Sequence, residues 1–288
     1  MNINICAKTD AGKERDQNED AFILCPNLAL PDWGKSEATV ELGPYGCLLA
    51  IADGMGGANA GEVAASMAME SLKTFFSPAS VAAAVVSEDL IKKFLVAAFE
   101  YANDAINKHI SDHPETLGMG TTIVVCWIVN GKAFVAWCGD SRCYVYNPNL
   151  GLQTLTKDHS YVQELVDKGD LTEQEAFSHP DNNIITRGLG DFDTSHPDIK
   201  SFDIHPYDLF LLCSDGLCGY CENQAIEKMI KTYHDNTNAC CEALLNMALD
   251  AGGFDNICIA LASVTDDEGF ASPTHASFFK RLFKRPSS

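Results

Sequence analysis

Eight short apolar runs punctuate the chain, at Ile3–Lys8, Ala21–Leu24, Gly46–Ala52, Thr121–Val129, Ala133–Cys138, Arg142–Tyr146, Leu209–Cys213 and Asn256–Val264. Their length and their flanking glycine, proline and aspartate predict β-strands, several of them buried. Two longer segments follow a different period. In Ala60–Phe76, Val63, Met67, Leu72, Phe75 and Phe76 recur at helical spacing. In Asp89–Ile110, Ile91, Phe94, Leu95, Ala98, Ala102, Ile106 and Ile110 share one face. Two more helices are predicted near Glu222–Tyr233 and Asn238–Asp250. Strands in clusters and helices in pairs argue for an α+β fold rather than βαβ alternation. A two-sheet antiparallel β-sandwich flanked by helix pairs accommodates them. Pro26–Pro44 reads as a polar surface loop. Tyr161–Asn183 is charged and partly helical, and reads either as a flap facing substrate or as a plain surface excursion.

Several of the apolar runs stop at aspartate. Asp53 follows Leu48–Ala52 and Asp215 follows Leu209–Ser214; Asp140 follows Phe134–Gly139, and Asp255 opens Asp255–Ala260. A carboxylate at the end of a buried strand points to solvent or a cleft. Four such ends suggest a carboxylate cage for hard cations, suited to Mg²⁺ or Mn²⁺ and not to zinc. Asp53 could bridge two ions, the Gly54 carbonyl is unobstructed, and Asp215 and Asp255 could complete one shell. Two such ions generate a hydroxide near neutral pH and stabilise in-line displacement at phosphorus. Taken singly, each aspartate reads better as a turn or helix cap. In the stretch Thr9–Asp20, Arg15 can grip phosphate in a bidentate fork, and Glu19 and Asp20 could hold metal-bound waters.

Composition narrows the classes. The chain has 288 residues, 46% hydrophobic and 21% charged, enough for a sizeable core. A net charge of −20 disfavours a nucleic-acid surface. No run approaches the roughly 18 apolar residues of a membrane span. Met1–Cys6 lacks the basic and apolar regions of a secretory signal, so a cytoplasmic setting with reduced thiols is expected. The 12 cysteines then act mainly as buried hydrophobes. Cys218 and Cys221 have CxxC spacing, but only Cys213 lies near as a further zinc ligand. Residues 265–288 form an acidic linker and a basic, aromatic tail. Within it, residues 277–285 suit an anionic membrane surface or a partner, or else fold back or stay unordered.

The motifs, taken in order, resemble the bacterial form of the metal-dependent, type 2C protein serine/threonine phosphatases. The resemblance rests on Arg15…Asn18-Glu19-Asp20-Ala21, Ala52-Asp53-Gly54-Met55-Gly56-Gly57, Gly61-Glu62 and Gly118-Met119-Gly120-Thr121-Thr122. It continues through Gly139-Asp140-Ser141-Arg142, Asp158-His159-Ser160, His179-Pro180, Ile185–Gly190, Cys213–Leu217 and Asp255-Asn256. It implies a catalytic domain over residues 1–264 and two Mn²⁺ or Mg²⁺ ions. Asp53 would bridge them, with Gly54 on one ion and Asp215 and Asp255 on the other. Glu19 and Asp20 would act through water, and Arg15 would hold the phosphoryl group. Asp140, with Asp215, resembles the ligands of a third, weaker ion.

The implied reaction is direct attack of metal-activated hydroxide on phosphoserine or phosphothreonine of protein substrates, opposing a serine/threonine kinase. A monomer is expected. The lack of any Cys-x5-Arg phosphate loop agrees with this. Met55 and Ala58 stand where relatives carry histidine, so the leaving group's proton would come from a water near Asp140, or from His159 or His179. His159 reads better as a loop brace and His179 as part of the flap. The alternatives are a pseudophosphatase serving as a binding module, and a phosphatase of small phosphoesters.

Overall fold

The computed structural model describes residues 1–56, 60–190, 192 and 194–265. Its strands are β1 (Asn2–Asp10), β2 (Asp20–Cys25), β3 (Glu37–Glu41), β4 (Cys47–Met55), β5 (Gly120–Thr121), β6 (Ile123–Val129) and β7 (Lys132–Cys138). They continue with β8 (Arg142–Asn147), β9 (Gly151–Thr154), β10 (Leu189–Gly190), β11 (Asp198–Asp203), β12 (Leu209–Cys213) and β13 (Ile257–Thr265). The helices are α1 (Ala60–Phe75), α2 (Pro78–Ala84), α3 (Glu88–Asp112), α4 (Tyr161–Lys168), α5 (Glu173–Phe177), α6 (Asp215–Cys218), α7 (Asn223–Tyr233) and α8 (Thr237–Asp250).

One sheet runs β3-β1-β13-β12-β8-β9. The other runs β10-β5-β4-β6-β7-β11, with β2 also on β4. Their ladders are antiparallel. The period of two along each strand divides its side chains between two cores. In β4, Cys47, Leu49 and Ile51 enter the core between the sheets, while Leu48, Ala50 and Ala52 face α1 and α3. In β13, Cys258, Ala260, Ala262 and Val264 enter the same inter-sheet core, while Ile257, Ile259 and Leu261 face α7 and α8. Burial on both faces explains why these strands read as continuous apolar runs. The sandwich flanked by helix pairs is therefore the observed architecture.

Several local expectations need correction. Pro26–Pro44 is not wholly loop: Glu37–Glu41 pairs with β1 as an edge strand. Its charged ends and half-exposed middle hide it among polar residues. Thr121–Val129 is two strands broken at Thr122, and β9, β11 and α2 had no expected counterpart. In α1 the buried stripe is Ala64, Ala65, Ala68 and Leu72, whereas Val63 and Met67 pack at its margin. Small residues there let the helix lie close on the sheet. Among the described residues, no helix is long and apolar enough to cross a membrane. Residues 277–285 and Ala58 lie outside the described residues.

Strand register brings the aspartates together. Asp20 stands opposite Asp53, Arg142 opposite Cys213, Cys213 opposite Ile259, and Asp10 opposite Ile257. The loops carrying Arg15, Asp53, Asp140, Asp215 and Asp255 thus gather at one end of the sandwich.

Candidate active site

Asp53 lies near the end of β4, and two threonines clamp its backbone. Its carbonyl accepts from Thr122 N at 2.9 Å and Thr121 Oγ1 at 2.8 Å, and its N–H donates to Thr122 Oγ1 at 3.2 Å. Thr122 Oγ1 also meets Ser141 Oγ at 2.7 Å, tying Asp53 to the turn that carries Asp140. Thr121 and Thr122 thus have a structural role beside the cleft. Gly54 is obligatory for a different reason: a Cβ there would stand 2.1 Å from the Gly61 carbonyl oxygen.

The carboxylates form a graded cleft. Asp20 and Asp140 are buried at its floor; Asp53, Asp215 and Asp255 are partly exposed, and Arg15 is at the rim. Asp215 begins α6, and its carboxyl lies within hydrogen-bonding reach of Asp53. Withdrawal from water and the neighbouring acids push Asp215 up to about 6. Burial first, then Asp20, Asp215, Asp140 and Asp255, drive Asp53 well above the usual carboxylate range. Asp140 is raised by burial and by Asp215, and Asp20 mainly by burial.

One oxygen each of Asp20 and Asp140 is buried without a hydrogen-bond partner. Orphaned oxygens and touching carboxyl groups are what a site for hard cations leaves when only its protein donors are considered. The donors are all oxygens, which fits Mn²⁺ or Mg²⁺. The set is not a closed cage, however. Among the described residues, no three His, Cys, Asp or Glu side chains stand arranged to hold an ion as they are. The carboxylates instead converge on one cleft as separate groups.

Arg15 does not stand free. Its Nη2 donates to Asp255 Oδ2 at 2.8 Å, joining the expected phosphate ligand to an expected metal ligand. Glu19 turns its carboxylate toward the backbone N–H groups of Gly61 and Glu62 in the first turn of α1. A carboxylate beside the first turn of a helix lies in the favourable field of its N-terminus.

Two positioning residues carry no label in the sequence reading beyond membership of a motif. Ser214 Oγ donates to Asp20 Oδ2 at 2.7 Å and accepts from Cys258 N at 2.9 Å. Asn256, buried beside Asp255, donates to the carbonyls of Ala11 at 3.0 Å and Gln17 at 2.8 Å. It also accepts from Glu19 N at 2.8 Å, so one side chain fixes the whole Arg15 loop. The signal available for each was its place beside an acidic ligand.

His159 is a brace. Its Nδ1 accepts from Gly139 N at 3.1 Å, its ring stacks on Trp137, and burial lowers its pKa. Arg142 binds Asp158 through Nε and Nη2, the latter at 2.7 Å. The Asp158-His159 segment thus supports the Asp140 turn from behind. His179 lies in the Tyr161–Asn183 segment, where its Nδ1 accepts from Asp181 N at 3.1 Å. That segment contains α4 and α5 and is pinned where Tyr161 N meets Ile184 O. All 12 cysteines are free and buried, so Cys218 and Cys221 are ordinary core thiols in this structure.

Comparison with known proteins agrees with this geometry. The family model for Protein phosphatase 2C matches residues 8–257. The chain is 32% identical over 269 residues to the protein phosphatase PhpP of Streptococcus pneumoniae, covering 92% of this chain and 99% of that one. It is similar to the crystal structure of the Mycobacterium tuberculosis serine/threonine phosphatase PstP/Ppp, with 30% identity and TM-score 0.76, covering 92% of this chain and 100% of that one. A PstP catalytic-domain structure in complex with 2 manganese ions matches with 29% identity and TM-score 0.73, covering 92% and 100%. The chain belongs to the protein phosphatase 2C family.

Proposed function

We propose that this phosphatase removes phosphate from phosphoserine and phosphothreonine of proteins using two Mn²⁺ or Mg²⁺ ions, held by Asp53, the Gly54 carbonyl, Asp215 and Asp255. The observation that carries this reading is the convergence of Asp53 and Asp215 on Asp20 and Asp140, each of which buries an oxygen without a hydrogen-bond partner. Bound there, the ions supply Lewis acidity at the phosphoryl oxygens and an activated water near neutral pH. Glu19 and Asp20 act through water. Asp140, with Asp215, serves a third, weaker ion.

The chain's own groups divide the remaining work. Arg15 keeps donors free beyond its bond to Asp255, and these would hold the phosphoryl oxygens. No thiol competes as nucleophile: Cys258, close to Asp20, is buried and pushed well up by burial. Attack therefore falls to water, with no phosphoenzyme. The leaving alkoxide takes its proton from water in the cleft, because His159 braces the Asp140 turn, with Nδ1 on the Gly139 N–H and Nε2 3.5 Å from Asp198, and Met55 offers no donor. Residues 1–264 are the catalytic domain, and the flap over 161–183 borders its substrate.

A serine/threonine kinase is the physiological opponent, and the protein works as a cytoplasmic monomer. Its free, buried thiols support a reducing compartment. Purified protein should release phosphate from a phosphothreonine peptide with Mn²⁺, and Asp53→Ala or Asp215→Ala should abolish turnover. An inactive wild type under saturating Mn²⁺ would sink this reading.

A further inference from the structure

Two aromatic rings stand exposed at the lip of the cleft. Tyr220 follows α6, whose first residue is Asp215; its backbone N–H returns to Leu217 O at 3.3 Å. Phe254 directly precedes Asp255, so their Cα atoms are about 3.8 Å apart. The rings meet with centroids 5.5 Å apart and planes tilted by 41°. Tyr220 is 41% exposed and Phe254 50% exposed, although both segments are anchored. Gly253 O accepts from Lys13 N at 2.7 Å, and Asp255 accepts from Arg15. Phe254 is therefore held between two residues that fix the arginine loop. Burial and then the charges of Asp215 and Asp255 raise the Tyr220 pKa, which places its hydroxyl within their field.

The two half-exposed rings form a contiguous apolar face beside the arginine that would hold phosphate. Neither ring is needed for the carboxylate cleft, since the bonds that position Asp215 and Asp255 are made by backbone, Asn256 and Arg15. We propose that Tyr220 and Phe254 form an aromatic shelf that receives an apolar or aromatic side chain flanking the phosphorylated residue. The proposal rests on the phosphatase reading of the cleft. It assigns a preference for the residues beside the phosphorylated one. Arg15 bonds Asp255, the residue next to Phe254, and its charge acts on Tyr220, so a phosphoryl group held by Arg15 lies at the same edge of the cleft as the ring pair.

The test uses two phosphothreonine peptides that differ only beside the phosphorylated residue: glycine on both sides, or phenylalanine on both sides. Wild type should favour the phenylalanine peptide about tenfold in kcat/KM, mainly through KM. Tyr220→Ala and Phe254→Ala should bring that ratio toward one, and Tyr220→Phe should preserve it. Equal kcat/KM for the two peptides with wild type removes the shelf and leaves the phosphatase reading standing. A ratio unchanged in Tyr220→Ala also overturns the shelf. Turnover of neither peptide removes both readings. If Phe254→Ala does not fold, Tyr220→Ala alone decides.

Discussion

The carboxyl groups of Asp53 and Asp215 are drawn together although Asp53 lies on β4 and Asp215 opens α6 after β12, a strand of the other sheet. Two buried carboxyl groups drawn together repel unless a proton or a cation lies between them. Asp215 is pushed up to about 6 from its ordinary 3.8, so the folded protein binds more protons than the unfolded chain in that window. Metal-free stability attributable to this group should therefore fall as pH rises from about 4 through about 6. Added Mn²⁺ should raise Tm more at pH 7.5 than at pH 5. Scanning fluorimetry checks this. Equal Mn²⁺ shifts at the two pH values would count against the shared site, and Asp215→Asn should flatten the difference.

Asn256 supports the phosphate side of the cleft through the carbonyls of Ala11 and Gln17 and the N–H of Glu19. Asn256→Ala leaves buried partners unsatisfied and should cost about 2 kcal/mol in denaturant unfolding. It should also lower kcat/KM by releasing the Arg15 loop. Unchanged kinetics would show that the loop holds its shape without this residue.

Gly216 is required by close approach between the two loops that carry Asp215 and Asp255. A Cβ there would fall 1.9 Å from the Asn256 carbonyl oxygen. Gly216→Ala must push the loops apart, at a cost of about 3 kcal/mol, with loss of activity. A variant with wild-type midpoint and turnover would contradict the packing described.

Arg142 and Asp158 form a bidentate, largely buried pair behind the Asp140 turn. Arg142→Ala strands the Asp158 carboxylate and should cost about 3 kcal/mol. Arg142→Lys should recover only part of it, because an ammonium cannot make the planar fork. Chemical denaturation of both variants checks the order.

The parts of this architecture visible in the sequence are those with a short-range signal. Apolar runs ending on Asp53, Asp140 and Asp215 show strands and site together, because burial on both faces removes polar residues until the cleft begins. What escaped depends on distant partners. Ser214 reaches Asp20 across a separation of 194 residues, and Asn256 reaches Gln17 across 239. Nothing local distinguishes such a serine or asparagine from a turn residue. Glu37–Glu41 escaped because an edge strand with charged ends has the polarity of a loop. The α1 stripe was misplaced because alanine contributes little to an apolar pattern, yet small side chains set how closely that helix packs.

The most direct measurement is Mn²⁺ binding to metal-stripped protein, followed by electron paramagnetic resonance, in wild type and in Asp215→Asn. The account predicts two tight ions per wild-type chain and the loss of at least one when Asp215 can no longer share a cation with Asp53. Binding of two ions with unchanged affinity in Asp215→Asn would contradict it.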